Sequence, residues 1–327
     1  MSNPRAPQPR RGLVLGAGGV LGAAWTTGAL QAVKDVMGIE PGASDIIVGT
    51  SSGSIIGALL GAGISPEHMV AHQRGAKEHS GPLAGFSWDH DRSPGGRRPL
   101  FPMTPIPGSV RILRSGVPLW MRLPPTAVMS AILPRGGRSM SNVGTLMEEL
   151  APEGQWSDHD NVWVVAMDYD RGKRVTFGRL DSPPASLADA VMASCAIPGW
   201  FSPVTIDGVR YIDGGACSVT SADILVGREL DEVIVLAPMV SFDMAKSIGV
   251  FERADRVWRA AATRRCRREV EKLRASGVRV TVIAPGSEDM AVMGGNSMDT
   301  RRRIDVLETS LKTTRRVLES GQDWLVG

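Results

Sequence analysis

Two short apolar segments near the N-terminus, each followed at once by a glycine-rich turn and a helical pattern, restrict the fold most. Residues 12–15 are predicted to form a buried strand before a helix over 21–37. Residues 45–49 form the second predicted strand, and the next helix covers 54–60. Strands of this kind lie in a parallel sheet covered by helices on both faces. The sequence therefore predicts an α/β fold.

The second half of the chain continues this alternation. Strands are predicted at 162–168, 174–177, 204–206, 209–212, 233–237 and 278–284, and helices at 187–196, 244–275 and 299–318. Asp207 and Gly208 form the dipeptide favoured in a two-residue hairpin turn. Residues 80–135, which are rich in proline, glycine and arginine, interrupt the pattern, and we interpret them as an insertion. We expect a flexible tail over 1–11 and a single domain over 12–327.

The charge and the cysteines exclude several classes of protein. The net charge of +3 comes from 37 Lys and Arg against 34 Asp and Glu, so no nucleic-acid partner is expected. The three cysteines, Cys195, Cys217 and Cys266, are odd in number and widely spaced. Neither a disulfide framework nor a metal site is therefore predicted. We expect a cytoplasmic protein.

The first residues also imitate an export signal. Arginines precede an apolar stretch over residues 5–24, as in a twin-arginine signal peptide. Four glycines among residues 13–22 make a poor apolar core for such a signal, which favours a different use of this segment. No uninterrupted apolar run reaches 18 residues, so no transmembrane helix is predicted.

The turn after the second strand has the pattern G-x-S-x-G, with Gly49 and Gly53 on either side of Ser51. A sharp turn from strand to helix strains its central residue and tolerates only small neighbours. It also places the serine hydroxyl at a helix N-terminus, which favours developing negative charge. The pattern indicates a nucleophile elbow, and the alternative is a plain turn of glycine and serine.

A serine nucleophile needs a base, and the histidines do not provide one in the expected order. The order of an α/β-hydrolase is Ser, then Asp or Glu, then His. The five histidines here are at positions 68, 72, 79, 90 and 159, and we interpret them as surface or structural residues. Asp213 ends a predicted strand and precedes Gly214 and Gly215, which would let the backbone clear a substrate. Asp213 is therefore the candidate base, and the alternative is an ordinary turn aspartate.

The glycine loop between the first strand and helix allows two functions. It contains Gly16, Gly18, Gly19 and Gly22, but neither register of the dinucleotide pattern G-x-G-x-x-G fits without a mismatch. The second strand also lacks the acidic residue that would bind a ribose. A nucleotide-binding oxidoreductase is thus disfavoured, and no cofactor is predicted. The alternative is an oxyanion hole formed by the backbone N–H groups of Gly18 and Gly19.

The order of glycine loop, G-x-S-x-G turn and D-G-G segment resembles the patatin-like phospholipase family. The resemblance covers residues 12–63 and 187–215, including ASCAIPGWFSPV at 193–204. It implies a three-layer α/β/α fold with a mostly parallel central sheet and an apolar insertion. It also implies that Ser51 and Asp213 form a catalytic dyad, with Gly18 and Gly19 in the oxyanion hole. The implied activity is hydrolysis of fatty-acyl esters of lipids through an acyl-enzyme.

The chain departs from the family pattern at two places. Ala17 occupies the position of the first glycine in the family's loop, and Leu21 occupies that of a basic residue. After the D-G-G segment, residues 216–220 (ACSVT) stand where the family often has an asparagine near a proline. An alternative function is therefore a catalytically weak lipid-binding or regulatory protein of the same fold.

Two further segments suggest contacts with lipid. Residues 100–134 carry many apolar side chains, and we expect a lid or an acyl-chain wall, with ordinary core packing as the alternative. These side chains are Trp120, Met121, Leu123, Val128, Met129, Ile132 and Leu133. Residues 251–277 carry nine basic against four acidic residues, and residues 301–316 carry six against two. Such basic helices would dock an anionic membrane, and the alternative is a solvated face with weak ion pairs.

Overall fold

The computed structural model describes residues 9–76, 106–116, 120–151, 155–242 and 250–321, and its centre is one sheet. The strands are β1 (Arg11–Leu15), β2 (Ile46–Thr50), β3 (Val162–Asp168), β4 (Lys173–Phe177), β5 (Val204–Ile206), β6 (Val209–Asp213), β7 (Glu232–Leu236) and β8 (Arg279–Ile283). They follow the order β5-β6-β3-β2-β1-β7-β8, and β4 also pairs with β3. The five strands from β3 to β8 along this order run parallel, whereas β4, β5 and β6 pair antiparallel with their neighbours.

Helices cover both faces of the sheet, as predicted. Those within the described residues are α1 (Gly19–Met37), α2 (Ser52–Gly61), α3 (Pro66–Gln73), α4 (Val110–Arg114), α5 (Pro125–Ile132), α6 (Ser141–Leu150), α7 (Leu187–Cys195), α8 (Val250–Ala275), α9 (Ser287–Met293) and α10 (Arg303–Glu319). Successive strand side chains point to opposite faces, so Leu13 packs with Trp25 of α1. Val14 packs instead on the other face, with Leu273 of α8. The two largest cores therefore lie on opposite sides of a mostly parallel sheet.

Most predicted elements are confirmed to within one or two residues. The strand at 162–168 has the predicted bounds, and β1 begins one residue earlier than expected, at Arg11. The hairpin turn is also confirmed, because Asp207 (φ 47°) and Gly208 (φ 73°) both adopt positive φ. Five helices, α3, α4, α5, α6 and α9, were not predicted. Among the helices of the described residues, none is long and apolar enough to cross a bilayer.

The predicted insertion falls partly within the described residues. Residues 77–105 and 117–119 lie outside them, while α4 and α5 belong to the segment. Met121, Met129, Ile132 and Leu133 are exposed, so ordinary core packing is wrong for these four side chains. The part of α5 that does enter the core consists of small residues such as Ala127. The domain limits at 1–11 and 12–327 stay a prediction from the sequence.

Candidate active site

The turn between β2 and α2 holds Ser51 in a strained backbone conformation. Ser51 has φ 54° and ψ −126°, a region that residues with a side chain rarely occupy. A Cβ atom at Gly53 would lie 2.1 Å from the Leu15 carbonyl oxygen, and one at Gly49 would lie 2.4 Å from the Ser54 Cα atom. Both positions therefore exclude any side chain. The glycines of the G-x-S-x-G pattern are explained by this close packing, and the turn is an elbow that presents Ser51.

A buried serine on α7 supports the elbow. The Ser51 amide donates a 2.8 Å hydrogen bond to Ser194 Oγ, and Ser194 Oγ donates a 2.6 Å bond to the Val165 carbonyl oxygen of β3. The Ser51 carbonyl oxygen accepts bonds from the Ser54 amide and hydroxyl. Hydrogen bonds at both its amide and its carbonyl group thus fix the strained backbone of Ser51. No role was predicted for Ser194 from the sequence, in which it is one of the small residues that end α7.

The long strand β3 brings Asp213 beside the elbow. β4 pairs with β3 along residues 164–168 and so occupies one edge of that strand. β2 and β6 share the other edge, where Thr50 is opposite Val165 and Asp213 is opposite Ala166. The end of β2 and the end of β6 therefore meet at consecutive positions of β3. This register places the residue that follows Thr50, which is Ser51, next to Asp213.

The Asp213 carboxylate is buried, with only 6 % of the residue exposed. Burial raises its pKa to about 6, against the lowering effect of hydrogen bonds from the Ser51 side chain and the Gly215 amide. The Gly215 N–H donates to Asp213 Oδ1 at 2.7 Å, and the Asp213 N–H donates to the Ala196 carbonyl oxygen. A carboxylate with this pKa is a better proton acceptor near neutral pH than a free aspartate.

The glycines after Asp213 fit tightly against the same strand. A Cβ atom at Gly214 would lie 2.4 Å from the Val165 carbonyl oxygen, so this position requires glycine. One at Gly215 would approach Asp213 Oδ1 to 3.0 Å and Ala17 Cβ to 3.5 Å. The D-G-G segment therefore lies between β3 and the glycine loop.

The glycine loop packs against the elbow and leads into α1. The Gly16 amide donates to the Leu236 carbonyl oxygen, and a Cβ atom at Gly53 would lie 2.9 Å from the Gly16 carbonyl oxygen. The Gly22 amide donates to the Gly18 carbonyl oxygen at 2.9 Å. No hydrogen bond within the described residues is donated by the amides of Gly18 and Gly19. Two free N–H groups at a helix N-terminus are suited to binding an anion.

The departures from the family's loop pattern are apolar core positions. Leu21, at the place of the basic residue, is fully buried in the core beneath α1, and its amide donates to the Ser297 carbonyl oxygen. Ala17 is buried, and its amide donates to the Val219 carbonyl oxygen at 2.8 Å. Neither substitution disturbs the contacts around Ser51 and Asp213.

The described histidines make other contacts. His159 Nε2 is 2.8 Å from the Ser44 carbonyl oxygen, ahead of β3 and therefore at the sheet end opposite to Ser51. His68 Nδ1 lies 2.9 Å from Ser65 Oγ at the start of α3, which also carries His72. The histidines at 79 and 90 lie outside the described residues. Across the described ranges, no group of three or more His, Cys, Asp and Glu could hold a metal ion.

The structure thus places an elbow serine at the carboxyl end of a parallel sheet, beside a buried carboxylate and a glycine loop. The chain belongs to the patatin-like phospholipase family, whose model matches residues 13–226. Membership of this family points to a lipid-hydrolysing activity.

Comparison with solved structures gives distant similarities. VipD from Legionella pneumophila shares 16 % identity at a TM-score of 0.44, with 96 % of this chain and 67 % of VipD covered. The type III effector ExoU shares 15 % identity at a TM-score of 0.36, with 98 % of this chain and 54 % of that chain covered. A chain in the complex of SpcU with ExoU from Pseudomonas aeruginosa shares 17 % identity at a TM-score of 0.28, with 97 % of this chain and 60 % of that chain covered. The chain thus spans little more than half of ExoU, and no curated protein matches it significantly.

Proposed function

We propose that this protein is a serine acyl-hydrolase that cleaves fatty-acyl esters of lipids with a Ser51–Asp213 dyad. The observation that carries the proposal is the register of β3, which sets the elbow serine and the buried carboxylate at neighbouring positions on one strand edge. The Ser51 side chain also lies close enough to Asp213 to lower the pKa of its carboxyl, which supports the same pairing. Gly18 and Gly19 supply the oxyanion hole.

The first half of the reaction acylates Ser51. As Ser51 Oγ attacks the ester carbonyl carbon, its proton passes to the neighbouring Asp213 carboxylate. The negative charge that develops on the carbonyl oxygen is stabilised by the free amides of Gly18 and Gly19. Collapse of the tetrahedral intermediate breaks the ester C–O bond. The alcohol, such as a lysolipid, leaves with the proton from Asp213.

The second half releases the fatty acid. A water molecule gives a proton to Asp213 while its oxygen attacks the acyl carbon, and the oxyanion forms in the same place. Collapse of this intermediate breaks the bond to Ser51 Oγ, which recovers the proton. The pKa of about 6 lets Asp213 accept and return protons in both halves near neutral pH.

Release of fatty acid from a panel of esters tests the proposal. The panel contains a phospholipid, a lysophospholipid, a triacylglycerol and short-chain p-nitrophenyl esters, with the Ser51→Ala variant as the control. We expect turnover of at least one long-chain lipid ester by the wild type and none by Ser51→Ala. Lipid binding by a correctly folded wild type that turns over no ester would favour the lipid-binding alternative.

A further inference from the structure

The segment that contains α4 and α5 exposes an unusual amount of apolar surface. Of the ten large hydrophobic side chains that are exposed among the described residues, five lie between positions 106 and 133. They are Ile106, Met121, Met129, Ile132 and Leu133. On α5, Pro125, Met129 and Ile132 follow one another at i, i+4 and i+7, so they form a stripe along one face. Contiguous apolar surface of this kind marks an interaction site.

The opposite face of α5 is fixed to the body of the protein. Ala127 is buried among residues of β3 and β6, and the Ser130 carbonyl oxygen accepts a 2.7 Å hydrogen bond from Tyr169 Oη. The Gly108 amide donates to the Leu133 carbonyl oxygen, which ties the segment before α4 to the end of α5. The apolar stripe is therefore held outward by packing on its other side.

The helix that carries this exposed face, α5, contacts the chain segment next to Asp213. Thr126 Oγ1 donates a 2.5 Å hydrogen bond to the Ala216 carbonyl oxygen. Ala216 ends the short turn Gly214–Ala216 that directly follows Asp213. A surface bound to the outer face of α5 would consequently lie beside the segment that carries the base.

Exposed arginines lie next to the apolar stripe. Arg111 and Arg114 lie at i and i+3 on α4, which packs against α5, and both are exposed, as is Arg122 beside Met121. None of these three arginines forms an ion pair within the described ranges. Arg111 and Arg114 line an open cleft of about 580 Å³ together with Arg210, which is neutralised by Asp170 at 2.5 Å. Exposed arginines around apolar side chains complement an anionic lipid surface.

The basic helix α8 is a weaker candidate for this contact. Arg265 is bound to Glu269 at 2.9 Å, and Lys272 is bound to Asp223 at 3.4 Å, so part of its charge is neutralised within the fold. Arg267 and Arg268 remain exposed on α8, which makes them the matched comparison for Arg111 and Arg114.

We infer that the outer face of α4 and α5 docks the protein on a bilayer that contains anionic phospholipid. We call this face the docking surface, and it consists of Ile106, Met121, Met129, Ile132 and Leu133 with Arg111, Arg114 and Arg122. The apolar side chains enter the acyl region, and the arginines bind lipid phosphates. Docking itself requires no catalysis; only the delivery of ester bonds to Ser51 rests on the proposed function.

The experiment measures sedimentation of the full chain with vesicles. All proteins carry Ser51→Ala, so that no lipid is hydrolysed, and the vesicles are phosphatidylcholine with or without phosphatidylglycerol. We expect binding only with phosphatidylglycerol and a decrease as salt rises. The double variant Met129→Glu/Ile132→Glu should lower the partition coefficient at least tenfold. The control Leu180→Glu, at a fully exposed apolar residue outside the docking surface, should leave it unchanged.

The arginines are tested by a matched pair of double variants. Arg111→Gln/Arg114→Gln should lower the partition coefficient by about fivefold per arginine, whereas Arg267→Gln/Arg268→Gln should leave it unchanged. A loss of binding in Arg267→Gln/Arg268→Gln with none in Arg111→Gln/Arg114→Gln would overturn the inference and locate the contact on α8. Equal loss in the Leu180→Glu control, or no binding to either kind of vesicle, would overturn it as well. Circular dichroism melting of each variant excludes unfolding as the cause.

A separate measurement distinguishes failure of docking from failure of the proposed function. In the Ser51-containing protein, Met129→Glu/Ile132→Glu should retain turnover of a soluble short-chain ester while losing turnover of vesicle lipids. Absence of soluble-ester turnover in the wild type would contradict the dyad but would leave the vesicle result valid. Equal loss on both substrates would show that the two side chains serve the site itself, against the docking inference.

Discussion

Replacing Asp213 by asparagine should stabilise the protein relative to the wild type, by an amount that grows as the pH rises. The same change removes the proposed base. The buried carboxyl has a pKa of about 6, compared with 3.8 for an unperturbed aspartate. The folded state therefore binds this proton more tightly than the unfolded state does. A difference of about 2 pKa units corresponds to about 3 kcal/mol at 1.36 kcal/mol per unit. The group contributes this stability below pH 4 and loses it as the pH rises through 6.

Asparagine has nearly the same volume and still offers an oxygen to the Gly215 amide, but it does not titrate. We expect the free energy of unfolding of Asp213→Asn, relative to the wild type, to increase by up to about 3 kcal/mol between pH 4 and pH 7.5. The control Asp207→Asn changes an exposed carboxylate in the hairpin turn. It should show no comparable trend.

Urea unfolding at half-unit pH steps from 4 to 8, followed by tryptophan fluorescence, measures both differences. A stability difference between Asp213→Asn and the wild type that does not change with pH would refute the reasoning. It would mean that the carboxylate is solvated, and that burial does not prepare it to accept a proton.

Three other results are expected. With a soluble ester as substrate, kcat/KM should fall tenfold per pH unit below about pH 6, since protonated Asp213 cannot act as a base. A value of kcat/KM that does not change between pH 4.5 and pH 7 would argue against this role. Because the Ser51 amide loses its buried hydrogen-bond partner, Ser194→Ala should lower the free energy of unfolding by about 1–3 kcal/mol and reduce kcat more than it changes KM. An unchanged kcat would leave Ser194 with a structural role only. Gly53→Ala should prevent folding, since its Cβ would lie 2.1 Å from a carbonyl oxygen. Gly42→Ala, whose nearest contact would be 3.3 Å, should still fold, and expression and circular dichroism of both variants check this comparison.

Local patterns were sufficient to predict the sheet and the elbow. β1 and β2 are short apolar runs bounded by glycine, and Gly49 and Gly53 identify a turn that admits no side chain. Such features depend only on neighbouring residues. For this reason the elbow can be located from sequence before any tertiary contact is known.

The meeting of Ser51 and Asp213 could not be worked out from local patterns. It depends on β3 having seven residues where β2 has five, so that β6 can occupy the rest of the same edge. The support from Ser194 is also non-local, because a serine near a helix end can equally be a cap or a buried donor. Exposure of the stripe on α5 was ambiguous for a similar reason: apolar residues at helical spacing fit a core as well as a surface.

The central claim is that Asp213 activates Ser51, and intact-mass spectrometry after reaction with a fluorophosphonate tests it most directly. We predict one adduct per chain, mapped by peptide analysis to Ser51 and absent from Ser51→Ala. In Asp213→Asn the adduct should form at least about 100-fold more slowly, which is the lower range for loss of a general base. An adduct on another residue, or an Asp213→Asn protein that reacts as fast as the wild type, would contradict the dyad.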